Sequence, residues 1–194
     1  MPYPDPIPAR TLPTASGDTV PVPHPELLTH LQFRRFAGCP VCNLHLRSVA
    51  TRHAEIRAAG IQEVVVFHST VAELRKYTDD LGLDVIADPE RALYREFGVE
   101  SGARALLDPR AWPGIARAVG SEVSGGRDGG RPAPPARPEG GRLGLPADFL
   151  IAPGGTVVAA KYGVHADDQW PVDELLALAE AHTTTEPTTQ EARP

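Results

Sequence analysis

Short apolar runs alternate along this chain with stretches in which apolar residues recur at helical spacing. Leu31–Phe36 reads as a strand, and Leu44, Leu46, Val49 and Ile56 then give a helical stripe that Gly60 should end. Ile61–Phe67, with its Val64-Val65-Val66 run, predicts a strand buried on both faces. Thr70-Val71-Ala72-Glu73 has the form of a capping box. It opens a helix with Val71, Leu74, Thr78 and Leu81 on one stripe, closed at Gly82. Asp84–Ala87 predicts a further strand, and Asp88-Pro89 starts a helix through Ala92, Leu93 and Phe97 that Gly98 stops. This β-α-β-α-β-α order predicts a mainly parallel sheet with covering helices. Near the end of the chain, Asp148–Ile151, the turn Pro153-Gly154-Gly155 and Thr156–Tyr162 predict an antiparallel hairpin. Pro171 then starts a last helix with Val172, Leu175, Leu176 and Ala179 on one face.

Composition accounts for the stretches without rhythm. The 194 residues include 21 prolines and 18 glycines, so a good part of the chain is loop rather than core. Residues 1–28 are proline-rich, with Gly17-Asp18 offering the turn of a hairpin that covers a sheet edge. Ser101–Val119 suggests one more helix, interrupted at Pro109 and Pro113. Residues 120–144 are rich in Gly, Pro and Arg and read as a flexible insertion in a domain spanning 29–182; residues 183–194 read as a disordered tail. The formal charge of −6 and the lack of a long basic run exclude a nucleic-acid or anionic-membrane footprint. No apolar stretch approaches the ~18 residues of a membrane span. The N-terminus lacks a signal-peptide pattern, so the expected location is cytoplasmic.

In such a compartment thiols stay reduced, and the only two cysteines lie three residues apart in Gly38-Cys39-Pro40-Val41-Cys42. So short a loop would restrain almost nothing in the unfolded chain, so the spacing points to chemistry rather than to a staple. Proline suits the first position of a helix, which puts Cys39 at the N-cap and Cys42 in the first turn. Unpaired N–H groups and the helix dipole there favour a thiolate, and thiols in such settings titrate at ~3.5–7.5 rather than ~8.5. Cys39 is then the attacking sulfur, and Cys42 the one that resolves a mixed disulfide. Two other readings stay open: a metal site built on Cys39, Cys42 and His45, which lacks an evident fourth ligand, and a pair of inert thiols. Arg34 and Arg35 precede the motif in a strand that should be buried. Arg35 is expected either near the Cys39 sulfur, where it would lower the thiol pKa, or at the strand end reaching solvent. His45 is expected to face outward or to pack, His165 to sit in an exposed loop, and His68 to have at most a modest role at the carboxyl edge of the sheet.

Phe33-Arg34-Arg35-Phe36-Ala37-Gly38-Cys39-Pro40-Val41-Cys42 resembles the active-site segment of peroxiredoxin-like proteins of the AhpC/TSA group, in the thioredoxin superfamily. The likeness continues through Val64–Ser69, Ala87-Asp88-Pro89-Glu90, Tyr94–Val99, Leu145–Ile151 and Gly163-Val164-His165. It spans roughly residues 15–180 and is poor over 100–144. The resemblance implies an α/β thioredoxin-like fold, with a central mixed sheet flanked by helices, and an antioxidant or disulfide-reducing oxidoreductase. Such an enzyme works with an external thiol reductant and a disulfide or peroxide substrate, without a cofactor or metal, and homodimerisation is one option. Substrate would lie against Pro40, Val41, Leu145 and Pro146. In thioredoxin-like folds a proline placed as Pro146 is cis and faces the cysteine pair; the alternative is an ordinary loop proline. One departure matters. Peroxiredoxins carry Pro-x-x-x-Thr-x-x-Cys, where this chain has Gln32 and Phe36 in the proline and threonine places. The hydroxyl that orients a bound peroxide is missing, which shifts the expected activity toward thiol–disulfide exchange, with thiol-dependent peroxidase as the rival. A non-enzymatic thioredoxin-like binding or metal-binding module is the alternative of a different class.

Overall fold

The computed structural model describes residues 3–102, 104–125 and 132–185. Five strands, β3 (Leu28–Arg34), β4 (Ile61–Phe67), β5 (Asp84–Ala87), β6 (Ala147–Ile151) and β7 (Val157–Tyr162), form one sheet in the order β5-β4-β3-β6-β7. The β3–β4 and β4–β5 pairs are parallel, while β6 and β7 run antiparallel to their neighbours. Every residue of β3 and β4 is buried, as befits inner strands of a sheet covered on both faces.

Alternation along β3 divides its side chains between two unlike faces. Leu31 and Phe33 join Val64, Val66, Ala147 and Phe149 on one face. Tyr94 of α4 (Ala92–Glu96) and Phe97 at its end cover that face, together with the hairpin of β1 (Arg10–Pro13) and β2 (Thr19–Val22). The hairpin's strands lie on the face, and its turn covers the sheet edge as expected, with the Ala15 N–H donating to the Val85 carbonyl of edge strand β5 at 2.7 Å. The opposite face carries α1 (Pro40–Thr51), α2 (His53–Ala58), α3 (Val71–Thr78), α6 (Trp112–Gly125) and α7 (Val172–Thr185) over Val65, Phe67 and Leu150.

Several boundaries follow local chemistry. Thr70 caps α3 through its hydroxyl, which accepts the Glu73 N–H. Asp88 is also a cap, but for a later start than Pro89 suggests. Its carboxylate accepts from the N–H groups of Ala92, Leu93 and Tyr94, so α4 begins three residues past the proline. Pro109 opens a single 3-10 turn and Pro113 sits in the first turn of α6, after α5 (Arg104–Leu107). Both prolines therefore start helical segments instead of interrupting one. Of the expected insertion, residues 120–125 continue α6, residues 132–144 carry hydrogen bonds to the rest of the chain, and residues 126–131 lie outside the described residues. Residues 183–185 close α7, and the remainder of the expected tail lies outside the described residues.

Candidate active site

Cys39 is the N-cap of α1, with Pro40 at the first helical position. Burial works against ionisation of the Cys39 thiol, but donors outweigh it. These are the Cys42 S–H, the Arg35 guanidinium, and the N–H groups of Cys42 and Val41, and together they bring the thiol down to about 6. Cys42 moves the opposite way. Burial and the neighbouring Cys39 sulfur hold it well above its usual value, so it keeps its proton. The two sulfurs thus differentiate into a thiolate and a thiol that donates to it.

Arg35 lies just past the last residue of β3, with Nη1 3.5 Å from the Cys39 sulfur. Its other terminal nitrogen donates to the Arg142 carbonyl. Val41 is buried and Pro40 half-buried. Gly38 takes φ +74°, and any Cβ there would meet the Tyr77 ring at 2.7 Å, so the turn into Cys39 requires glycine.

Leu145 and Pro146 are buried, and the cleft of about 230 Å³ that they line is walled by Gly98, Val99, Glu100, Tyr162 and Gly163, with neither cysteine in its lining. The Leu145–Pro146 bond is trans; the cis bonds among the described residues precede Pro6 and Pro23. The chain runs extended here. Gly144 bridges Ser101, the Leu145 N–H donates to Glu100, and the Pro146 carbonyl accepts from Gly163 on the way into β6.

The second arginine belongs to a polar network on the α1 side of the sheet that strand patterning missed. Arg34 is fully buried and donates to Asp148 at 2.6 Å and to Gln32 at 2.5 Å. His30 lies between Glu63 (2.9 Å) and Asp148 (3.2 Å), and Gln32 donates to Glu63. Burial opposes a charge on His30, but the two carboxylates outweigh it and raise the group to about 9. Asp148 goes the other way: burial disfavours its charge, yet Arg34 and His30 hold it well below the usual carboxylate range. His45 faces this network rather than the cysteines, its Nε2 3.1 Å from Arg34; burial and that guanidinium push it well below its ordinary value. The His45 of the C-x-x-C-x-x-H spacing is thus engaged with Arg34. His165 is half-buried, with Nδ1 accepting from Asp167.

A sequence profile of the AhpC/TSA antioxidant enzymes matches residues 48–165, more than half of the chain. The chain belongs to the AhpC/TSA antioxidant enzyme family. It is therefore a thiol-dependent oxidoreductase by family. The matched stretch begins after both cysteines, so the parts played by Cys39 and Cys42 rest on the geometry above. The fold is similar to that of peroxidoxin BcpB from Mycobacterium tuberculosis, with a TM-score of 0.62 and 16% identity over 93% of this chain and 97% of that one. It is also similar to a cysteine variant of peroxiredoxin 6 from Arenicola marina, with a TM-score of 0.64 and 14% identity over 98% and 78%. A putative thiol:disulfide interchange protein DsbE from Chlorobium tepidum gives 0.54 and 19% over 89% and 94%. These likenesses place the AhpC/TSA chain in the thioredoxin-like fold. A comparison with curated proteins by sequence gives no match. Among the described residues, no helix is long and apolar enough to cross a membrane.

Proposed function

We propose that this AhpC/TSA protein is a two-cysteine thiol–disulfide oxidoreductase in which Cys39 attacks, Cys42 resolves and Arg35 holds the thiolate. The observation that carries this reading is the Cys39 sulfur at the N-cap of α1 with Arg35 Nη1 3.5 Å away and Cys42 one turn on, a geometry that lowers the first thiol and raises the second. The Cys39 thiolate attacks a substrate disulfide and displaces one sulfur as a thiolate, leaving a mixed disulfide on Cys39. Cys42 then gives up its proton and attacks the Cys39 sulfur, which releases the second substrate thiolate and closes a Cys39–Cys42 disulfide. Two electrons have passed to the substrate, and an external thiol reductant returns them. We take the working compartment to be the cytoplasm, where such a pair is kept reduced.

A second reading is favoured by the burial of both sulfurs, which suits a very small oxidant, and by peroxiredoxin neighbours. The Cys39 thiolate would take the distal oxygen of a hydroperoxide to become a sulfenic acid, releasing an alcohol or water. Cys42 would then condense with it, releasing water and forming the same disulfide. Phe36 stands where peroxiredoxins place a hydroxyl, so this route lacks that help.

Stopped-flow oxidation of the reduced protein by hydrogen peroxide and by a model disulfide tests both. Cys39→Ser should abolish each reaction, and Cys42→Ser should stop each after one step, with the mixed disulfide trapped from the disulfide and the sulfenic acid from the peroxide. Peroxide oxidation no faster than that of a free thiolate leaves the exchange role alone. Activity surviving in Cys39→Ser overturns the proposal.

A further inference from the structure

Arg35 is 3% exposed, so its charge is held away from water. Nη1 lies 3.5 Å from the Cys39 sulfur and Nη2 donates to the Arg142 carbonyl, while Nε, also buried, has no hydrogen-bond partner. Among the described residues no carboxylate pairs with this guanidinium. Its other neighbours supply no anion either. The Phe36 ring centre lies 5.4 Å from Cζ, and His68 and Arg91 on the same side bring an imidazole and a second cation. The Cys39 thiolate is the one full negative charge set against Arg35.

Disulfide formation removes that charge. The thiolate of Cys39 and the thiol of Cys42 give up two electrons and one proton, and the sulfur–sulfur bond that forms is neutral. The other donors to the thiolate lose their acceptor in the same step: the Cys42 S–H is consumed, and the N–H groups of Val41 and Cys42 are left facing an uncharged sulfur. A buried guanidinium stripped of its anion is costly, whereas a cross-link between residues three apart restrains the unfolded chain very little. Arg34 makes no such difference, because Asp148 neutralises it in either redox state. The contacts around Cys39 therefore favour the dithiol over the disulfide.

We propose that Arg35 makes the Cys39–Cys42 pair an oxidising couple, which rests as the dithiol and reduces strained, exposed or mixed disulfides but not the structural disulfides of stable proteins. The proposal rests on the two-cysteine reading and names its substrate class. Structural disulfides resist reduction because their potentials are low, while strained or exposed ones are the stronger oxidants. A pair whose own dithiol is favoured can pass electrons only to the second kind, by the exchange steps given above. An ordinary low-molecular-weight thiol then suffices to return the electrons. A potential depends on the two end states alone, so this selection is the same by whatever route a partner reaches the buried sulfur.

The test equilibrates the full chain with glutathione buffers at pH 8 and reads the ratio of dithiol to disulfide by thiol trapping. Arg35→Met should move the equilibrium toward the disulfide by roughly tenfold or more, which is about 30 mV for a two-electron couple. Arg35→Lys, which keeps the charge, should recover part of the difference. Urea denaturation of the two redox forms gives an independent reading on the wild-type protein. Its dithiol form should be the more stable, the reverse of what a cross-link ordinarily does, and the difference should shrink in Arg35→Met. A wild-type pair as reducing as that of thioredoxin overturns the proposal. So does an equilibrium unmoved in folded Arg35→Met, or a wild-type disulfide form more stable than the dithiol. Absence of any Cys39–Cys42 disulfide, even in the most oxidising buffer, would remove the two-cysteine reading and this one with it, so the two failures are distinct.

Discussion

Arg34 and Arg35 are consecutive and both buried, yet they have opposite company. Arg34 ends β3 facing α1, where Asp148 neutralises it and Gln32 and His45 take further contacts. Arg35 lies one residue beyond the strand, and its contacts are a sulfur and a main-chain carbonyl. A guanidinium paired with a carboxylate is spent on structure. One that meets only neutral oxygens keeps its charge for whatever anion forms beside it, here the Cys39 thiolate. The pair therefore separates a stabilising cation from a functional one across a single peptide bond.

Breaking the structural side should have the largest effect. Arg34→Ala removes the nearer of the two cations on buried Asp148, leaving only His30, and should destabilise the fold by roughly 3 kcal/mol, measured by urea denaturation, with Cys39 reactivity per folded molecule little changed. A second effect comes from His30, whose folded-state pKa is raised. Its contribution is complete below about pH 6.5 and is lost as pH rises through about 9. Stability should accordingly fall across that window by an amount on the order of 3 kcal/mol, and His30→Gln should flatten the decline. Breaking the functional side should move chemistry more than stability. Arg35→Ala should raise the Cys39 thiol by about one unit or more and slow alkylation at pH 6 by roughly fivefold, with the denaturation midpoint close to wild type.

The same comparison shows what sequence could and could not convey. Cys39 at the N-cap, Pro40 after it and the limits of β4 follow from local rules of spacing and capping, and the structure has them where those rules put them. The polar network does not follow from such rules. His30 meets Glu63 because β3 and β4 pair in that register, and it meets Asp148 because β6 lies on the other side, 118 positions along the chain. No local pattern marks a histidine, an arginine and two acids as mutual partners. Composition conveys only that residues 132–144 have little apolar surface to pack. It does not encode the partners of their carbonyls, which accept from Tyr77, Arg35, Arg91 and Arg142. Pro146 errs in the other direction, because a position shared with thioredoxin-like relatives suggested a cis bond that the extended run from Gly144 into β6 does not contain.

The most direct measurement is the pH titration of the Cys39 thiolate, followed by its ultraviolet absorbance in a Cys42→Ala background and in the wild-type protein. The wild-type protein should titrate near pH 6, with the Cys42→Ala variant higher because the S–H donor is gone. A wild-type value near the ordinary 9 would contradict the account, since neither Arg35 nor the helix terminus would then be acting on the sulfur.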